Sequence, residues 1–370
     1  MSPRSAGPAL NGRPSIMTRK MRRAWRMPAA WMRSMRIERF DPEADPARLR
    51  ACYQAYIASA LVDDPLCPPM SQQTFTGWLA CGWTEDDPEV WLAGDAPDEA
   101  DGCYTVTMPR RENLHLAHVH PLVPPARRRA GIGTALLRHA AAQAAQQGRV
   151  TLTAETRDGS AGEAFAQALG ARRGITETRR LLNLAAVPAG RLARLRAAAE
   201  QAGHGYTLLS WEGTAPEEYF GQIAVVNEAL ADAPVDAATQ EQSWDADRVR
   251  AGQRRVELMG MRQYTVAARC ADSGDFAGLT KLSIGPETPD WGFQQMTAVT
   301  RPHRGHRLGL LVKVAMLGLL AEREPQLRWI IAGNGNTNAH MIAINAELAF
   351  QVLDAETSWQ LDVAQVLGQS

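Results

Sequence analysis

Two short stretches of the chain carry the residue types that hold phosphate, in nearly the same spacing. The first runs Val123-Pro124-Pro125-Ala126-Arg127-Arg128-Arg129-Ala130-Gly131-Ile132-Gly133-Thr134. The second runs Val299-Thr300-Arg301-Pro302-His303-Arg304-Gly305-His306-Arg307-Leu308-Gly309-Leu310. Each follows an apolar, strand-like segment and opens an apolar, helix-like one. A helix start leaves backbone N–H groups without intrahelical partners, and the helix dipole places partial positive charge there. Gly131 and Gly133 lack a Cβ, so a ligand can approach the backbone. Arg127, Arg128 and Arg129 add fixed charge and donors for phosphate oxygens. The chemistry implied is pyrophosphate binding. A basic, solvated turn capped by glycine is the alternative, and the strand–turn–helix setting of both copies argues against it. Gly133 and Gly309 are 176 residues apart, about one domain, which points to a duplicated unit.

Both stretches resemble motif A of the GNAT superfamily, the acetyl-CoA-dependent N-acyltransferases, whose pattern is Val-x-Pro-x-x-Arg-x-x-Gly-x-Gly/Ala. Val123, Pro125, Arg128, Gly131 and Gly133 match it in full; Val299, Arg304 and Gly309 match in the second copy, where Arg301 replaces the proline and Arg307 the first glycine. The resemblance covers nearly everything after about residue 36, and its tandem layout is similar to GNAT enzymes of the mycothiol synthase type. It implies acetyl-CoA as co-substrate, held by Val123, Arg128, Arg129, Gly131, Ile132, Gly133 and Thr134 and by Val299, Arg304, Arg307, Leu308 and Gly309. It also implies a backbone N–H near Val123 or Val299 that polarises the thioester carbonyl.

GNAT sequences carry a second fingerprint, Asn-x-x-Ala-x-x-x-Tyr-x-x-x-Gly-Phe, whose asparagine contacts the cofactor and whose tyrosine sits by the thioester sulfur. In the second half Asn338 fits the asparagine, Asn345 stands at the tyrosine position, and Ala349 and Phe350 end the pattern. In the first half both polar residues are missing, with Ala166 at the tyrosine position. Asn345 cannot serve as an acid but can hydrogen-bond the leaving thiolate. The resemblance therefore makes Asn338 and Asn345 catalytic candidates. Glu287, ahead of the second pre-motif strand, is the candidate base. His118 and His120 share one strand face and suggest either packing or a metal; packing is the reading adopted, with no metal expected.

The elements that must position these residues follow the same order twice. Strand 36–40, helices 41–61 and 70–82, strands 89–93, 103–108 and 114–123, helix 132–147, strand 150–156, helix 161–169 and strand 179–184 form the first set. Strand 206–211, helices 215–230 and 244–260, strands 262–268, 277–284 and 292–299, helix 308–322, strand 329–332, helix 339–348 and strand 351–361 form the second. A repeated element order is stronger than either motif. The expected fold class is α/β (mixed α+β): two tandem GNAT-like domains, each a mixed, mostly antiparallel sheet with helices on both faces. The expected boundaries are a basic disordered tail over 1–35, domains over 36–185 and 206–370, and a connecting helix over 186–205.

Composition narrows the class. The 370 residues are 45% hydrophobic, enough for two cores, and contain no apolar run of membrane-spanning length. The five cysteines form no Cys-x-x-Cys pair, which speaks against disulfides and metal clusters and fits a cytoplasmic setting. Residues 1–36 hold nine arginine or lysine side chains and no acid, leaving −9 for the rest. The tail reads as a dispensable extension or as the product of an upstream start, with Met17 or Met35 as the alternative, and not as a signal peptide. The acidic body suits a small amine and not nucleic acid. The expected activity is acyl transfer from acetyl-CoA to a primary amine of a small molecule. The C-terminal domain would be catalytic and the N-terminal one degenerate or regulatory, in a monomer or homodimer free of membrane and nucleic acid. A non-catalytic acyl-CoA sensor is the alternative, favoured by the missing tyrosines.

Overall fold

The structure, a computed structural model, describes residues 35–83, 86–96, 98–232 and 239–368. Nearly all of the expected basic tail lies outside the described residues. The first half runs β1 (Ile37–Phe40), α1 (Pro46–Asp63), α2 (Gln72–Cys81), β2 (Glu89–Ala93), β3 (Gly102–Thr107), β4 (Leu116–Leu122), α3 (Ile132–Gln146), β5 (Thr151–Arg157), α4 (Ala161–Leu169) and β6 (Arg172–Asn183). Helix α5 (Arg191–Ala202) connects the halves. The second half runs β7 (Tyr206–Glu212), α6 (Phe220–Glu228), α7 (Ala246–Leu258), β8 (Arg262–Cys270), β9 (Phe276–Ile284), β10 (Trp291–Val299), α8 (Leu308–Arg323), β11 (Trp329–Gly335), α9 (Ala339–Glu347) and β12 (Gln351–Asp362), with α10 (Val363–Leu367) at the end.

Local chemistry sets the helix starts. The side chains of Asp45, Ser71, Ser160, Asp245 and Asn338 each accept the backbone N–H three residues on, satisfying a donor the helix cannot. Pro46 adds a preset φ at the first position of α1. Gly82 and Gly170 close α2 and α4 at positive φ, where a Cβ would clash.

The sheets of the two halves join into one sheet of twelve strands in the order β1-β2-β3-β4-β5-β12-β6-β11-β10-β9-β8-β7. Adding six to each strand of the first half gives its counterpart in the second, so the order reads the same from both edges. The exception to simple side-by-side packing is at the centre. β12, from the second half, lies beside β5 of the first, and β6, from the first half, lies beside β11 of the second; β12 and β6 pair antiparallel. The following helices go with their strands. α5, after β6, packs on α8, and α10, after β12, packs on α3: Ala199 joins the apolar core around α8, and Val363 and Val366 join the one around α3. Each half thus lends the other a strand and a helix.

Helices α1 and α2 in the first half, and α6 and α7 in the second, cover the opposite sheet face. α2 meets α7 closely: a Cβ on Gly77 would lie 2.7 Å from Leu258 O and Met259 Cα. Thr74 Oγ1 donates to Met259 O at 3.2 Å, and Asn113 N donates to Gln240 Oε1 at 2.8 Å. The halves are therefore joined on the sheet and on this helical face.

Candidate functional site

The two basic turns share one backbone. A short 3-10 turn, Pro125–Arg127 or Arg301–His303, precedes each. Two residues of each then take the left-handed conformation: Arg129 (φ 65°) and Gly131 (φ 89°) in the first, Gly305 (φ 86°) and Arg307 (φ 53°) in the second. Glycine occupies one of the two left-handed positions in each copy, and not the same one. Arg307 in place of the motif glycine thus leaves the turn intact. α3 and α8 start without a side-chain cap, and their first intrahelical bonds are Ala135 N to Gly131 O (3.1 Å) and Leu311 N to Arg307 O (3.0 Å). The N–H groups of Ile132 and Gly133, and of Leu308 and Gly309, precede those bonds and face the turn, as anion binding requires.

Several side chains have other duties than the motif implies. Arg128 makes a two-pronged pair with Asp63 of α1 (2.9 and 2.5 Å) and donates to Val123 O at 3.0 Å, so it braces the turn, its charge answered within the fold. Arg127 pairs with Asp101, and Arg307 with Glu347. Arg304 donates to Val299 O at 3.2 Å, and both it and Arg129 are exposed. Ile132, Thr134 and Leu308 are buried, so these residues offer the turn their backbone. Gly133 faces α4 and Gly309 faces α9, the second closely. Their Cβ atoms would meet Phe165 at 3.4 Å and Ile344 at 3.0 Å.

Ahead of each turn the sheet forks. β4 and β5 pair in parallel only from Leu116/Thr151 to His118/Thr153, and β10 and β11 only from Trp291/Trp329 to Gln294/Ala332. Beyond those points each pair separates. In the second half the branch point carries a β-bulge between Gln294 and Met296. A bulge takes a residue out of the ladder and leaves backbone polar groups unpaired. The Gln294 side chain grips it, with Nε2 donating to Lys281 O (2.6 Å), Thr280 Oγ1 (2.9 Å) and Met296 O (3.1 Å). β4 has no register shift against β3. His118 Nδ1 there meets Thr153 Oγ1 at 2.5 Å across the branch, and His120 packs against the edge of Trp78. Burial, then the neighbouring His118, lowers the His120 pKa to about 4.

Asn345 lies on α9 and Asn338 caps its start, while Glu287 lies in the connection before β10. Asn338 Oδ1 accepts Met341 N at 3.2 Å as the helix cap. Asn345 is fully buried on the α8 side of the fork; its Nδ2 donates to Asn334 Oδ1 (2.5 Å) and its Oδ1 accepts Lys313 Nζ (2.6 Å). Glu287 precedes Trp291 at the closed end of β10. Six residues lie between it and Gln294, so it precedes the end of the paired β10–β11 segment opposite to the one that leads to Asn334.

The sequence reading missed two lysines at this fork. Lys313 is 3% exposed in α8, and burial lowers its pKa to about 7. Lys281 pairs in register with Met296 on the sheet face covered by α6, and burial lowers its pKa to about 8. The signal was in the composition. The chain has three lysines against 37 arginines. Two of the three flank one fork, where a cation able to give up its proton differs most from arginine.

Residues 50–171 match the family model described as acetyltransferase (GNAT) family. No curated protein matches the chain. Among solved structures, a tandem GNAT protein from the clavulanic acid biosynthesis pathway is similar over 89% of this chain and 99% of its own, at 27% identity and a TM-score of 0.72. A GCN5-related N-acetyltransferase from Sphaerobacter thermophilus shares the fold over 91% of this chain and 97% of its own, at 19% identity and a TM-score of 0.60.

Proposed function

We propose that this chain, whose residues 50–171 match the GNAT acetyltransferase family and whose fold is that of a tandem GNAT protein, moves an acetyl group from acetyl-CoA to a primary amine of a small molecule in its second half, within residues 206–370. The observation that carries the assignment is the bulge at Gln294–Met296, present at the fork of the second half and absent from the first. An amide taken out of the ladder by such a bulge would be a fixed donor for the oxygen of a tetrahedral intermediate, a contribution of about 3–4 kcal/mol where one has been removed elsewhere. The pyrophosphate would rest on the amides of Leu308 and Gly309, with Arg304 and His306 exposed around it. The acyl arm would enter between β10 and β11. The amine would arrive from the α6 side, where Lys281 replaces Glu287 as the base. Partly neutral near pH 7–8, Lys281 can take the amine proton.

The first half, within residues 36–185, retains the glycine of motif A and a helix start suited to acyl-CoA. It lacks the bulge, and it carries Ala166 at the position of Asn345 and Leu137 at that of Lys313. We assign it a structural or regulatory acyl-CoA site. A negative charge introduced at one exposed turn residue in each half tests this division in the intact chain. His306→Glu should abolish thiol release with an amine panel. Arg129→Glu should leave turnover in place and remove one of two acetyl-CoA equivalents seen by calorimetry. The opposite pattern would move catalysis to the first half, and no turnover from any form would leave the acyl-CoA sensor.

A further inference from the structure

Lys313 belongs to a run in which every residue from Leu308 to Val314 is buried. No carboxylate pairs with it among the described residues, and the one perturbation of its proton affinity is burial. Among those residues its three N–H donors meet one side-chain acceptor, Asn345 Oδ1, and the ammonium lies 5.1 Å from the centre of the Phe350 ring. A fold that needed only to fill this space would use leucine, as the first half does with Leu137 at the equivalent place. Lys313 lies one turn after Gly309 and points at α9 where the family resemblance puts the residue beside the thioester sulfur. Asn345 holds it there and is itself held by Asn334, at the fork end of β11.

We propose that Lys313 is the group that receives the leaving sulfur: its ammonium stands beside the thioester and gives a proton to the departing thiolate, and Asn345 positions it. This rests on the acyl-transfer reading above. The amine nitrogen bonds to the carbonyl carbon, the carbon–sulfur bond breaks with its electron pair going to sulfur, and one proton passes from Nζ to sulfur. The proton shed by the amine travels through Lys281 and water and restores Nζ. A lysine can complete this cycle where an arginine could not, since arginine does not release its proton.

The charged groups on the surrounding elements leave this role to Lys313. β10 and β11 carry none. On α9, His340 is at the exposed first turn and Glu347 pairs with Arg307. On β6, Arg180 faces the same side and donates to Thr178 O at 3.2 Å. On α5, Arg191 donates to the Glu347 carbonyl at 2.8 Å. Just past the end of α8, Glu324 is taken by Arg262 on β8.

Three lysines make the test direct. In the full chain labelled with 13C-lysine, three side-chain signals report protonation, and a Lys313→Arg or a Lys281→Met variant assigns them. Coenzyme A is then added, and desulfo-coenzyme A, which lacks the thiol, serves as the control. The Lys313 signal should titrate at least one pH unit higher with coenzyme A bound, as an adjacent thiolate would require. It should stay in place with the desulfo compound. If both ligands bind by calorimetry and Lys313 titrates the same with either, the proposal is wrong and the acyl-transfer reading stands. If coenzyme A binds only through the turn altered by Arg129→Glu, that reading fails with it.

Discussion

Replacing Lys313 by methionine should make the protein more stable near neutral pH and less stable in mild alkali. The lysine titrates near 10.5 when unfolded and at about 7 in the fold. Between those values the unfolded chain binds the extra proton, so wild-type stability rises with pH across that window. At roughly 1.4 kcal/mol for each factor of ten in proton affinity, burial of this ammonium costs about 4–5 kcal/mol below pH 7. The cost shrinks through the window and is gone above 10.5. Methionine removes it but leaves the Asn345 carbonyl without its donor, a loss of about 1–3 kcal/mol. The variant should therefore gain about 1–4 kcal/mol at pH 7, and the advantage should reverse between about pH 8 and 10. Urea unfolding at several pH values reads this directly through the transition midpoints. A wild-type-to-variant difference that stays flat with pH would show that the buried lysine keeps its ordinary proton affinity, and would refute the reasoning. Retention of so costly a group is what a stability–activity trade-off predicts.

Two other substitutions probe different parts of the molecule. Gly77→Ala would normally favour α2 by about 1 kcal/mol; here the new methyl meets the α7 backbone at 2.7 Å, so the change should cost about 1–3 kcal/mol, read as a lower thermal midpoint. Lys281→Met should lower turnover by about 10²-fold or more while acetyl-CoA affinity by calorimetry stays within a few fold, and unchanged turnover would remove Lys281 as the base.

What the sequence disclosed was mostly local. The two turns were legible because a helix start, its glycines and its arginines are neighbours in the chain. The repeated element order followed from hydrophobic periods and cap residues such as Asp45. The duties of individual side chains were less legible. Arg128 reads as a phosphate ligand until Asp63, 65 residues earlier, closes on it. Gly133 and Gly309 read as ligand clearance, and each also faces a side chain of the following helix, Phe165 or Ile344, that the local sequence does not announce. The crossing of β6 and β12 left no local mark, because a strand's own residues do not name its partner. Lys313 was hidden by its surroundings, an apolar helix in which one lysine looks like a solvated face.

The crossed centre of the sheet means that the unit encoded and the unit assembled are not the same. The wedge of the first half is completed by 351–362, and that of the second by 172–183. Spatially, the first body consists of 35–169 together with the end of the chain. A crossover between genes at residues 186–205 would therefore deliver two mismatched seams, however well each half were kept. The pattern is that of a domain swap carried out between the two halves of one chain. For a chain so built, the heritable module is the pair, and a change in β12 is a change in the neighbourhood of Arg157 and Thr153.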